Sequence, residues 1–398
     1  MLYETLLLCI ASYDEIISSI YIPYISVMMK YFATNKYSIN NTVAAYLAGF
    51  AIGYILWKVL IECYGIFRSL LLNQMMLIVT CICMAYSNSV EIFTFLKFIQ
   101  GIGAAAGNMI VQTLYANSCN SSEDLVRKLA RMNLAATMAE TIVPLFANLI
   151  GIQAWRYSFI FLACLISSMF FVTLWMFVDK LRDEGSVVIP FSQSLNNVIL
   201  QYRDAVSCVG VYPLLIIAAF SEGSSTLFFA WMPHLLTRLY DIPDEIISIN
   251  ITSVSLVSTI GMTVVGGLVA YVSLDKLIYR SSIICFTLSI ICAFHHLLYS
   301  INYFFYIMYL GIFMLLFNII SLASASFTLR LIPQASSAAS LLGLAELIGG
   351  VFLTYISGIM PVTHLVFICY LMVCSVIILF SLAMFRYYEK SYLTQECK

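Results

Sequence analysis

Charge is the scarcest ingredient of this sequence. Only 10% of its 398 residues are Asp, Glu, Lys or Arg, against roughly 25% in an average soluble domain. With 62% hydrophobic residues and a mean hydropathy of +0.97, the chain carries more apolar surface than a water-soluble globule can hide. A soluble enzyme is excluded. Neither sign of charge dominates: 19 Lys and Arg stand against 20 Asp and Glu, a formal net charge of −1. That excludes a basic nucleic-acid binder and an acidic disordered tail. Histidine is rare, and the H-E-x-x-H of an intramembrane zinc protease is missing. Tyr13–Asp14 has no G-x-G-D partner, so an aspartyl intramembrane protease lacks its second half. The twelve cysteines contain no C-x-x-C pair and no His/Cys set at zinc spacing, and they read as small buried side chains. No enzyme activity, cofactor or metal is expected. The ten-residue alternation of a transmembrane barrel is also absent. The N-terminus lacks the positive region and cleavage site of a signal peptide and reads as a retained first span.

Long apolar runs fill the chain instead. A crossing needs about 20 apolar residues, and breaks in the pattern give twelve candidate spans: 5–30, 41–62, 69–88, 92–116, 128–151, 156–179, 206–236, 246–272, 277–298, 303–329, 335–359 and 362–386. The longest polar stretch separates six spans from six. The expectation is an all-α membrane protein of twelve transmembrane helices in two six-helix halves, 1–178 and 206–398, joined by a cytoplasmic linker, 179–205. Such paired halves suggest a transporter with a midplane site. With both termini cytoplasmic, fourteen Lys and Arg fall inside and four outside, Lys97 lying within a span. That bias fixes the orientation expected. Gly49/Gly53, Gly103/Gly107 and Ala345/Gly349 sit one turn apart, the spacing that lets membrane helices approach closely.

Several motifs resemble those of the major facilitator superfamily, with the bicyclomycin-resistance type of drug:proton antiporter as the nearest pattern. Ser18–Ser19–Ile20–Tyr21–Ile22–Pro23 stands where that family has T-D-M-Y-L-P in span one. Ala45 to Gly53 resembles its A-F-L-L-G-F-A-L-G, and Lys97 to Ala105 its R-F-x-Q-G-x-G-A-A. Trp155, Arg156 and Phe159 match W-R-x-x-F, and Ala335 to Gly343 resembles A-G-T-A-S-A-L-L-G. The resemblance implies alternating-access, proton-coupled efflux of small organic compounds by a monomer in a bacterial inner membrane. It also implies a gating loop between spans two and three, G-x-x-x-D-R-x-G-R-R, that latches the halves. Here that segment runs from Lys58 through Glu62 and Gly65 to Arg68. Gly65 is unchanged, Asp has become Glu62, and the first Arg has become Cys63. The antiporter motif of span five is altered too, at 143–148. Tyr13–Asp14 echoes a second branch, the proline/betaine-like proton symporters, and proton-coupled uptake stays open. So does a degenerate carrier without coupling.

Ionisable groups in a span cost roughly 2.5–3.5 kcal/mol on insertion scales, which makes them functional candidates. Glu15, Lys97, Glu140 and Glu222 are the expected proton-coupling residues. Glu15 precedes Ser19, where the family places its span-one acid, by one helical turn, about 6 Å, and Lys97 is its loose counter-charge. Asp14 points about 100° away, towards the surface or another partner. Glu346 lies in a packing run and reads as structural. Ser19, Tyr21, Gln100, Asn108 and Asn318 are the expected cavity residues, since spans one, four, seven and ten line the pathway in this superfamily; interhelical bonding is the equal alternative. His234, His295 and His296 fall at outer helix ends and read as interfacial.

Overall fold

A computed structural model describes residues 2–20, 24–34, 36–150, 155–183, 189–207, 210–240, 253–254, 272–298, 303–361 and 363–396. Every element among them is helical: α1 Leu2–Ala11, α2 Tyr13–Ser19, α3 Ile25–Tyr31, α4 Lys36–Tyr64, α5 Ile66–Ala85, α6 Val90–Ser118, α7 Ser122–Ile150, α8 Trp155–Asp183, α9 Phe191–Ser207, α10 Val211–Tyr240, α11 Leu274–Leu298, α12 Tyr303–Leu331, α13 Ala335–Ile359 and α14 His364–Glu396. In a bilayer the backbone must satisfy its own hydrogen bonds, and helices do this within one segment.

Nine of the described helices are long and apolar enough to cross a membrane. The expected first span differs in detail. It is broken at Ser12, whose hydroxyl returns to the Leu8 carbonyl at 2.8 Å. Backbone bonds from Ser12 N to Leu8 O and from Ile16 N to Ser12 O carry the helical path through the break. A hydropathy run registers only apolar content and passes over such a break. Of the expected eighth span, 246–272, only 253–254 and 272 are described.

The described chain forms two compact units: Met1–Leu114 with Ala135–Tyr202, and Tyr115–Leu134 with Arg203–Lys398. In the first, glycines let α4 and α6 touch backbone to backbone. A Cβ on Gly49 would stand 2.0 Å from the Phe98 carbonyl oxygen, and one on Gly101 would stand 2.1 Å from that of Tyr46. Trp57 adds a hydrogen bond from its indole to the Ile102 carbonyl, 2.7 Å. At another end of this unit, Arg156 donates to the Tyr31 hydroxyl, the Ser87 carbonyl and Asn88 at 2.6–3.0 Å. Its guanidinium lies 4.4 Å from the Tyr31 ring centre, and Trp155 packs on Phe93 and Phe159. The amphipathic α9 seats Ser194 and Val198 on the end of α4, with the Ser194 hydroxyl 3.0 Å from the Val59 carbonyl. In the second unit α10 and α13 meet just as closely, for a Cβ on Gly349 would stand 2.0 Å from the Ala219 carbonyl.

Candidate transport site

In the first unit, the groups that carry charge converge through an aromatic residue. Lys97, on α6, is fully buried. Its ammonium stands 5.3 Å from the ring centre of Tyr46 and 6.0 Å from that of Phe159. Tyr46, on α4, donates its hydroxyl to the half-buried Asp14 of α2. The ring thus faces the cation while its hydroxyl reaches the carboxylate, an arrangement that stabilises both charges in a site poor in water. Tyr13, next to Asp14, accepts from Gln74 at 3.0 Å, and Gln74 also donates to Thr173 at 3.1 Å. This ties α2 to α5 and α8.

The structure places the expected residues as follows. Glu15 is half-buried, and its backbone carbonyl takes the Ser19 hydroxyl at 2.5 Å. The one-turn relation between these two residues is therefore real, but it is a bond inside the helix. Asp14 is bonded to Tyr46, whose ring faces Lys97, and Tyr46 is the residue that the sequence reading missed. Its signal was a phenol at membrane depth, which finds a polar partner when buried. Gln100 donates to the Cys81 sulfur at 3.4 Å, and Gln112 donates to Asn108 within α6 at 3.0 Å. Tyr21 lies outside the described residues, and so does the side chain of Glu140, whose backbone belongs to α7. A cavity of about 500 Å³ opens beside Asn41, Ala45, Glu91 and Phe98 and touches none of these candidates.

In the second unit, Glu222 on α10 accepts from the Ser321 hydroxyl of α12 at 3.4 Å. One turn on, Ser225 donates to Asn318 at 3.4 Å. Two polar links thus join α10 to α12. Glu346, on α13, lies within electrostatic range of Glu222, so the expected packing residue shares its surroundings with the expected functional one. His295 stands 3.3 Å from the Tyr309 hydroxyl, and the His296 ring packs 5.3 Å from that of His364.

Of the gating-loop candidates, Lys58 and Glu62 form an ion pair of 2.8 Å one turn apart within α4. Gly65 separates α4 from α5 with φ 89°. Arg68 follows in the first turn of α5 and is half-buried.

A family profile described as Major Facilitator Superfamily matches residues 6–354. The chain belongs to that superfamily. Among solved structures of similar fold are a proton:xylose symporter of the superfamily, XylE (TM-score 0.70, 11% identity, 96% of this chain and 94% of that one), and the human organic anion transporter MFSD10 (TM-score 0.71, 12% identity, 96% and 98%). FucP, crystallised in its outward conformation, is similar too (TM-score 0.67, 13% identity, 97% of each). At these identities the likeness is one of fold, and the helices described here accord with the twelve-helix, two-half plan of a major facilitator chain. Two curated relatives, both named uncharacterized transporters, come from Rickettsia bellii and Rickettsia felis. Each is 24% identical over 194 residues, 48% of this chain. The chain spans about half the length of these relatives, 46% and 45%. As a superfamily member it is an integral, multi-pass membrane protein.

Proposed function

We propose that this major facilitator protein is a proton-coupled, alternating-access carrier that exports small organic compounds. The observation that supports it most is the Asp14–Tyr46–Lys97 arrangement, a carboxylate and a buried cation bridged by one tyrosine in the first unit. A carboxylate in such surroundings takes up or gives up a proton as its access to water changes. Asp14 joins Glu15 as a candidate proton carrier at this end of the chain. Glu222, held by Ser321, is the corresponding acid of the second unit. Among the coupling candidates Glu15, Glu140 and Glu222 outnumber Lys97, which suits a neutral or cationic substrate. The chain acts as a monomer, with six-span halves at 1–178 and 206–398 and the 179–205 linker and both termini in the cytoplasm. The Rickettsia origin of the relatives fits a bacterial inner membrane.

Uptake of an osmolyte or metabolite is the second reading. Tyr13 and Asp14, the pair that echoes the proline/betaine-like branch, are both bonded into the same polar set.

The test is purified protein in liposomes under an imposed pH gradient, with lumenal pH followed as lipophilic cations, neutral drugs, proline or betaine are added. Substrate-dependent proton flux is expected, its sign choosing antiport or symport. Asp14→Asn is expected to lower that flux at least about tenfold, the scale of general proton-transfer and charged hydrogen-bond effects. Wild-type flux in Asp14→Asn, with Glu15→Gln inactive, would return the role to Glu15.

A further inference from the structure

Helix α5 carries polar side chains into the interior of the first unit. Ser69, Asn73 and Gln74 are all fully buried, although α5 is apolar enough to span a membrane. Gln74 is satisfied on one side only. Its amide nitrogen donates to the Tyr13 hydroxyl at 3.0 Å and to Thr173 at 3.1 Å. Its carbonyl oxygen has no hydrogen-bond partner among the described residues. Neither has the Ser69 hydroxyl, nor either polar atom of the Asn73 amide. A primary amide has two donors and an acceptor with two lone pairs. Buried groups of this kind are nearly always paired, with protein or with ordered water.

These groups lie where three segments meet. Leu77 lies 2.6 Å from where a Cβ on Gly103 would stand, and Gln100 reaches Cys81 at 3.4 Å. Both contacts set α5 and α6 in one antiparallel register. Asn73 shares the face of Leu77, one turn away, and the register brings it level with Gly107. There a Cβ would touch the Ile10 carbonyl and stand 3.6 Å from the Tyr13 ring. The first span therefore crosses at this level, beside its break at Ser12, with the Tyr13 hydroxyl turned to Gln74.

We propose that Asn73 and Gln74 hold a small cluster of internal water in this layer, against the Tyr13 hydroxyl. The chemistry of the layer selects water. A buried water makes about three hydrogen bonds and needs at least two polar partners. The Asn73 amide offers donors and an acceptor, the Gln74 carbonyl a second acceptor, and the Ser69 hydroxyl both. The Tyr13 hydroxyl accepts from Gln74 and has its own O–H to give. All four side chains are neutral, so an ion would find no opposite charge among them. Inside a bilayer such groups must be satisfied within the protein, and water enclosed with them does so. The layer stands one residue from Asp14, yet the inference does not rest on the carrier reading.

X-ray radiolysis of the full-length protein in liposomes tests it. Hydroxyl radicals form from the water itself, and a buried ring is oxidised where water stands beside it. Tyr13 is the reporter, 1% exposed. Tyr24 is the internal standard, a tyrosine of 0% exposure whose hydroxyl is bonded to Ser158 at 2.6 Å. Peptide-resolved mass spectrometry is expected to show Tyr13 oxidised well above Tyr24. Asn73→Leu removes the amide and fills its place with an apolar group, and it is expected to abolish the excess at Tyr13. Asn73→Val carries the same expectation should Asn73→Leu fail to elute as a single species. Equal yields at Tyr13 and Tyr24 in wild type overturn the proposal without any variant. An excess at Tyr13 that survives loss of the Asn73 amide overturns it too, because the water would then come from bulk solvent as the helices part. Transport need not be detected for either result to be read, so the outcome is separate from that of the flux measurement.

Discussion

Lys58 is 1% exposed, and the carboxylate 2.8 Å away on Glu62 is its ion-pair partner. Removing one member of a buried pair costs about 3–5 kcal/mol, because the other keeps its charge without compensation. The two members differ, since the Glu62 side chain retains 14% exposure against 2% for Lys58. Glu62→Gln is therefore expected to lower the melting temperature more than Lys58→Met, and the double variant to recover most of the loss in the same thermal-shift measurement. Tyr46 offers a finer test. Tyr46→Phe keeps the ring beside Lys97 and deletes only the hydroxyl that binds Asp14. Proton flux is expected to fall several-fold while thermal stability shifts by about 1 kcal/mol or less. At this scale the sequence revealed which residues were unusual and hid which of them meet. Helical spacing says that Glu15 and Ser19 share a face. It does not say which face turns to a neighbour, and that choice is what brings Asp14 to Tyr46.

The helices themselves were legible because a span is a local property. Twenty apolar residues announce themselves without reference to anything distant, and small residues one turn apart announce a close crossing. The crossing of α4 and α6 leaves no room at Gly101, where a Cβ would meet the Tyr46 carbonyl oxygen at 2.1 Å, while nothing lies within 4 Å of the corresponding position on Gly311. Gly101→Ala is expected to destabilise by more than 2 kcal/mol, on the scale of overpacking. Gly311→Ala is expected to be neutral or stabilising by up to about 1 kcal/mol, on helix propensity. Thermal unfolding of the two variants in detergent checks the contrast. The W-R-x-x-F motif, legible only as a resemblance, acquires a physical reason. Arg156 ties Tyr31 of α3 to the turn at Ser87 and Asn88, and Trp155 and Phe159 provide its aromatic bed.

For the whole molecule, the polar stretch at 179–205 suggested where two halves divide, since a linker is written in composition. The allegiance of 115–134 was not legible, because hydrogen bonds from Arg330, more than two hundred residues away, help to set it. The two polar sites belong to separate units, Asp14 to the first and Glu222 to the second. Asp14 is bonded to Tyr46 and Glu222 to Ser321, and sites without shared partners add in stability to within about 0.5 kcal/mol. Asp14→Asn and Glu222→Gln are therefore expected to change stability additively in a double variant, in chemical denaturation followed by tryptophan fluorescence. On the proposed mechanism one transport cycle uses both, and their effects on proton flux are expected not to multiply. The same purified proteins would serve both measurements.

The turn at Gly65 has a bearing on how such a protein can age. Its φ of 89° lies where side chains other than glycine's are strained. Charge is a transferable commodity: a neighbour can take it up, as Glu62 has with Lys58. A backbone angle has no such deputy. Any side chain at position 65 would have to hold that strained angle, so of the residues from Lys58 to Arg68 the glycine at the bend between α4 and α5 is the one the backbone can least replace.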